Sequence, residues 1–484
     1  MHIKQRFKRL IPLCLFILCF ILIYAEQLSA GQDIPGRIDS LIIKHRLAKS
    51  HLGIEIVSWP ERRVVYEKDS DYLMAIASNM KLITTGVALC RLGPEFQFTT
   101  SLYYDGVIQN GLLQGNLIVK SNGDPNISGR FYNDNPLAVF EQWRDKLVKL
   151  GITNIRGNII LDDSVFDRNY IHNSWPKDQL NCWYCAPVSG IAFNDNCINI
   201  SVRSTENPTI TISPLTKYVG IINNSYLGRR NTLTFHRMPG TNVITAKGAI
   251  SRDTLCHKES VPVDNPSLFF GTVLAETIAK KIGFTGKVVL TERAYDVKTD
   301  RLTEICRVST DLKKTITVTN QRSQNFYAEQ ILKLLGCQFK GKGTFDTGAA
   351  VVSEFLSDRL QIPVGSYLIS DGSGLSRGNW LSPGQMVEFL SYMASHKYFP
   401  DYKNSLNNRA WQEAGNSKKK SRIWAKTGSI ANVKCLSGYI CNDNGQPRYI
   451  FSILNTGLEY AADGPYGAVE FQNEVAKLLA ETAY

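Results

Sequence analysis

The chain has 484 residues, 43% hydrophobic and 20% charged, a balance that excludes a disordered protein and at this length calls for two or three domains. Its net charge of +12 suits an anionic envelope polymer or membrane surface. There is no basic helix, finger spacing or RNA-binding signature, so no nucleic-acid partner is expected.

Residues 1–30 read as a secretory signal. Lys4, Arg6, Lys8 and Arg9 precede the unbroken apolar run LIPLCLFILCFILIYA, and a small-residue boundary follows at Ala30. The run is long for a signal and slightly short for a spanning helix, so an uncleaved N-terminal anchor with membrane association is the alternative. Either way the remainder is exported, to the periplasm or another extracytoplasmic space. Eleven cysteines, two of them in this segment, leave an odd number beyond it. Cys182 and Cys185 have the spacing of a metal or redox pair but lack a second pair, which favours a disulfide or plain buried thiols.

RIDSLIIKHRLAKS has helical spacing, and LGIEIVSW and RVVYEKD form a hairpin around PER. SNMKLITTGVALCRLGP is a helix with Ser78 as N-cap, stopped at Gly93. From about residue 98 to 294 short strands and turns dominate. Two helices interrupt them, at 136–151, with Leu137, Phe140, Trp143, Leu147 and Leu150 on one stripe, and at 266–283. Each is followed by a glycine and a strand, in ITNIRGNIIL and FTGKVVL, the outline of an internal repeat. After Arg301 helices return, one from Asn325 to Leu335. SRIWAKTGS, VKCLSGYIC and PRYIFSILN then read as three strands, and a terminal amphipathic helix closes the chain. The early hairpin and late meander can share one sheet, with the middle inserted into it.

Ser-x-x-Lys occurs three times, where composition alone gives about two, so context must separate the copies. Ser174 to Lys177 has Pro176 inside it, and Ser417 to Lys420 is a charge run. Only Ser78 and Lys81 open an apolar helix. Lys426-Thr427-Gly428 ends a strand, and Ser323-Gln324-Asn325 leads a loop into a helix. In this order the three motifs resemble the signature of the penicillin-recognising serine acyltransferases. The long gap from Ser78 to Ser323 is similar to that of the D-alanyl-D-alanine carboxypeptidase/endopeptidases of the class C low-molecular-mass penicillin-binding proteins. SNGDPNIS, GNIILDDSVFD, WYCAPVSGIAFNDN and DGSGLSRGNWLSP extend the resemblance over nearly all of the mature chain. Gln324, where the family more often has Asp, and the cysteines at 182, 185 and 197 depart from it.

The resemblance implies an α/β fold of α+β type: a transpeptidase-like domain of antiparallel sheet and helices, residues 31–97 and 298–484, carrying a mostly-β accessory insertion at 98–297. It implies cleavage of D-Ala-D-Ala ends or cross-bridges in peptidoglycan stem peptides through a Ser78 acyl-enzyme, with β-lactams as inhibitors and no metal or cofactor. A serine hydroxyl needs a base. Lys81, one turn on, must be neutral to serve, a shift of about 4 kcal/mol that burial and a second ammonium, Lys426 by resemblance, would supply. Ser323 would relay a proton, and Asn325 would hold Lys81 and the substrate amide. Lys426 and Thr427 would bind a terminal carboxylate. Gly428 would leave the strand open to the substrate, and the backbone N–H groups of Ser78 and Ser429 would form the oxyanion hole. The DGSGLSR loop would shape the substrate cleft. A β-lactamase or a non-catalytic wall-binding protein are the alternatives.

Overall fold

Local chemistry sets the element ends. Asp33 caps the helix Ile34–Lys44 by accepting from Gly36 N, and Asn265 caps Pro266–Ile278 by accepting from Leu268 N. Gly341, in the left-handed region, stops Asn325–Lys340. The structure, a computed structural model, describes residues 33–409, 422–458 and 464–483. The signal or anchor at 1–30 and the Ser417–Lys420 match lie outside these residues. The chain divides into two compact units.

One unit contains the described residues up to Met74, Ser382–Ser391 and those from Asn408 on. Its sheet runs in the order Val64–Lys68, His51–Ser58, Pro447–Thr456, Val433–Cys441, Ile423–Ile430 and Asn407–Arg409. The first five pair antiparallel throughout, joining the early hairpin to the late meander. Leu52, Ile54, Leu436 and Ile453 pack with Ile38, Phe471 and Val475 of the helices Ile34–Lys44 and Gly464–Thr482. Alternate strand residues point to the other face, where Gly53 leaves room for Met74 and Pro383.

The other unit holds Ala75–Leu381 and Tyr392–Asn407. Its helices include Met80–Leu92, Leu312–Gln321, Asn325–Lys340 and Phe345–Leu360. The repeat outlined in the sequence is built as tiers. Asn154–Arg156 and Ile159–Asp162 pair in parallel with Gly283–Phe284 and Val288–Leu290 on one side. On the other they pair with Leu112–Gln114 and Leu117–Ser121, again in parallel. Gly115, Gly157 and Gly286 recur at the same step of each tier. A Cβ on Gly157 would lie 2.0 Å from Gly115 O, and one on Gly286 1.8 Å from Gly157 O. Beside them Asn116 Oδ1 accepts from Asn158 N at 2.8 Å, and Asn158 Oδ1 accepts from Lys287 N at 2.9 Å. Over the tiers, Phe140 and Trp143 of Ala138–Lys149 meet Phe270 of Pro266–Ile278 in one apolar core. Leu150, expected on that stripe, falls past the helix end and is half exposed.

Candidate active site

Met80–Leu92 is buried on all sides over its first three turns, which allows a lysine there no solvent. Ser78 is not its cap. A 3₁₀ turn, Ala77–Asn79, precedes the helix, Asn79 occupies the N-cap without a side-chain capping bond to the helix, and Ala77 has a left-handed φ of 45°. This irregular entry keeps the serine off the helix end and beside Lys81, whose Nζ lies 3.0 Å from Ser78 Oγ.

Lys81 is fully buried. Its Nζ also donates to Asn325 Oδ1 and to Ser373 O, each at 2.7 Å. Three acceptors match the three hydrogens of an ammonium; the neutral amine would present its lone pair to the serine hydroxyl. Burial pulls the Lys81 ammonium down from 10.5 to about 7, against the nearby carboxylates of Asp371 and Glu329. The group can therefore exchange a proton with Ser78 near neutral pH.

The DGSGLSR loop encloses this lysine. Asp371 is fully buried and takes four hydrogen bonds: Gly374 N and Asn379 Nδ2 on Oδ1, Ser376 N and Trp175 Nε1 on Oδ2, at 2.7–2.9 Å. Glu329, one turn beyond Asn325 on its helix, accepts from Gly372 N and Ser373 N at 2.8 Å each. Burial and the Asp371 charge hold the Glu329 carboxyl up at about 8. Gly374 has φ 79°, and a Cβ there would lie 1.8 Å from Ala77 O. The loop thus lies against the backbone of the serine turn and supplies the carbonyl that holds Lys81. The sequence points to Asp371 and Ser373 only as members of the DGSGLSR loop expected at the cleft, and does not point to Glu329 or Trp175; the signal for Glu329 is its place four residues after Asn325.

Of the other expected residues, Ser323 stands two before Asn325 with a left-handed φ of 52°. Asn325 Nδ2 donates to Tyr184 O at 2.9 Å, which places the Cys182–Cys185 stretch beside the site. Cys182 and Cys185 are separate thiols, and burial raises Cys185 to about 12, so it is not a reactive thiolate near neutrality. Gln324 is buried. Lys426, Thr427, Gly428 and Ser429 lie on Ile423–Ile430 of the sheet unit. There Lys426 is buried and donates to Thr427 O at 2.8 Å, while Thr427 and Ser429 are exposed.

A model of the D-Ala-D-Ala carboxypeptidase 3 (S13) family matches residues 35–477. The chain is 26% identical to a D-alanyl-D-alanine carboxypeptidase of Actinomadura sp. (strain R39), over 92% of this chain and 84% of that protein. It is 25% identical to the D-alanyl-D-alanine carboxypeptidase DacB of Haemophilus influenzae, over 84% of this chain and 85% of that one. The crystal structure of penicillin binding protein 4 (dacB) from Haemophilus influenzae has the same fold, with a TM-score of 0.77 at 23% identity, covering 92% of this chain and 99% of that chain. A second structure of that protein, complexed with a β-lactam, gives 0.73 at 22% identity over the same shares, 92% and 99%.

Proposed function

Since the chain belongs to the D-Ala-D-Ala carboxypeptidase 3 (S13) family, we propose that it cleaves D-Ala-D-Ala peptides of peptidoglycan by acyl transfer to Ser78. The observation that carries the reading is Lys81 Nζ at 3.0 Å from Ser78 Oγ, in surroundings that lower the ammonium to about 7. Neutral Lys81 takes the Ser78 proton as Oγ adds to the penultimate carbonyl. The C–N bond breaks, the amine leaves with a proton, and water then hydrolyses the ester and frees Ser78. Asn325 and Ser373 O orient Lys81 throughout.

The remaining assignments rest on resemblance. Ser323 relays the proton to the leaving amine, Lys426 and Thr427 bind the substrate carboxylate, Gly428 admits the peptide along the strand, and the Ser78 and Ser429 N–H groups hold the oxyanion. Residues 31–97 and 298–484 form the catalytic domain, with 98–297 as its accessory insertion. The signal-like first thirty residues support export to the periplasm or its equivalent, with membrane attachment if they stay uncleaved. Among the described residues no helix is long and apolar enough to cross a membrane. β-Lactams acylate Ser78, in keeping with the β-lactam complex of the Haemophilus influenzae protein.

The test is intact mass after mixing with penicillin, beside Ser78→Ala, together with D-alanine release from a stem pentapeptide. A stable single adduct and D-alanine release, both absent in Ser78→Ala, are expected. Full hydrolysis by folded Ser78→Ala overturns the reading; a fleeting adduct with penicillin consumed points to a β-lactamase.

A further inference from the structure

A cavity of about 920 Å³ lies in the unit that carries Ser78, at the residues that flank its asparagine. Gln324 and Phe326, on either side of Asn325, line it, as does Trp183, the neighbour of the Tyr184 whose carbonyl holds the Asn325 amide. Its volume falls within the range of small-molecule and oligomer sites.

The far wall is one face of a three-stranded sheet, Thr209–Ser213, Cys197–Arg203 and Cys256–Pro262. The strands are two-faced. Ile198, Ile200 and Val202 are buried, with Ile210 and Ile212 packed against the same core. Directly opposed residues share a face, so Ser213, Asn199 and Ser260 form one cross-strand row, and Thr211, Ser201 and Lys258 form the next. Five of these six bear hydroxyl, amide or amine groups that line the cavity. Ser260 Oγ donates to Asn199 Oδ1 at 2.7 Å, which fixes the amide within the row and leaves its N–H₂ as the donor end. The charges nearby are of both signs: Arg130 pairs with Asp195 at 2.6 Å, and Asp134, Lys258 and Glu259 also line the cavity. Trp183, 37% exposed, adds a flat aromatic surface to the lining.

Rows made mostly of neutral donors and acceptors one strand apart, an aromatic face and charges of both signs favour a polyol with amide substituents over an anion, a cation or an apolar ligand. We propose that this cavity binds the N-acetylated glycan of the cell-wall polymer, so that the enzyme holds the sugar strand beside the stem peptide it cuts. The assignment deepens the peptidoglycan reading and rests on it for the identity of the polymer.

Calorimetric titration of the intact protein with peptide-free peptidoglycan glycan strands tests it, with penicillin acylation measured on the same samples. Wild type and Ser78→Ala should bind the strands alike. Asn199→Ala, and Ser201→Trp, which fills the cavity, should weaken binding at least tenfold while acylation by penicillin is kept. In kinetics, wild type should show a lower KM for a disaccharide-bearing stem peptide than for the bare peptide, and Ser201→Trp should erase that difference. Absence of binding by protein that penicillin acylates, or unchanged binding in both variants, overturns the glycan site. Glycan binding by protein that penicillin fails to acylate upholds the site and overturns the catalytic reading instead.

Discussion

Glu329 and Lys81 hold opposite ends of one residue. Glu329 Oε1 accepts the N–H of Ser373 at 2.8 Å, and the carbonyl of the same Ser373 accepts from Lys81 Nζ at 2.7 Å. Buried Asp371 sets the turn before it, and both carboxylates favour the charged lysine that burial disfavours. The balance near neutrality is therefore a property of this loop as much as of the serine–lysine pair.

The first consequence is a pH profile. The base acts when neutral, so acylation by penicillin should rise through about pH 7 and fall as acidification protonates Lys81. Lys81→Met should lower the acylation rate by about 10²–10⁴ above pH 7, the usual contribution of a general base, with the deficit narrowing on acidification as wild-type Lys81 is itself protonated. Stopped-flow acylation across pH 5–9 checks both; a flat profile in wild type would exclude Lys81 as the titrating base.

Glu329→Gln alters that profile without touching Ser78. Glutamine can accept from only one of the two backbone N–H groups, and its amide N–H₂ meets the other. Acylation should slow about tenfold, or about 1.4 kcal/mol of barrier. The charge Glu329 carries in its ionised form favours the Lys81 ammonium, so losing it should move the acid limb slightly to lower pH, Asp371 remaining the larger opposing charge. The contribution of a second group titrating near 8 should also vanish. A slower enzyme with an unmoved limb would make Glu329 a packing residue only.

Gly374 and Gly365 separate backbone strain from collision. Both have φ near 80–90°, yet only Gly374 meets a neighbour, Ala77 O at 1.8 Å. Gly365→Ala should cost about 1–3 kcal/mol of stability, from strain alone, and leave acylation intact. Gly374→Ala should cost more, because the collision with Ala77 O adds to a similar strain, and should displace the serine turn and suppress acylation. Denaturant melts beside adduct yields give the comparison.

Gly157→Ala tests the tiered strands. The new methyl would lie 2.0 Å from Gly115 O, so the strands must part, at about 1–3 kcal/mol. Protein that remains folded should acylate at the normal rate, since the tiers hold none of the reacting groups. A large loss of acylation in folded Gly157→Ala would show that the tiers position the site.

What the sequence revealed depended on whether a residue's role was local. The hairpin, the meander and the helix carrying Lys81 are readable because their periodicity and spacing are complete within a few residues. Ser78 was misread as a cap because nothing in AIASNMK announces the left-handed Ala77 that inserts a 3₁₀ turn. Glu329 looked like any acidic residue of an amphipathic helix; its role exists only once a loop more than forty residues later closes over it. Asp371 was visible inside a conspicuous motif, but its four donors come from its own loop and from Trp175, a pairing no local pattern encodes. The repeat showed in its helices, while its third copy, GNLIV at Gly115, follows no helix and surfaced only through strand register.

The tiers also have a stopping rule. Gly283–Phe284 and Val288–Leu290 are the outermost strands of their sheets, and parallel growth could continue from them as readily as it reached them. They are two and three residues long. So short a ledge offers too few backbone groups to recruit a strand from a neighbouring molecule, whereas lengthening it would expose a template for chain-to-chain pairing. The brevity of the last tier thus guards the protein against polymerising through the pattern that builds it.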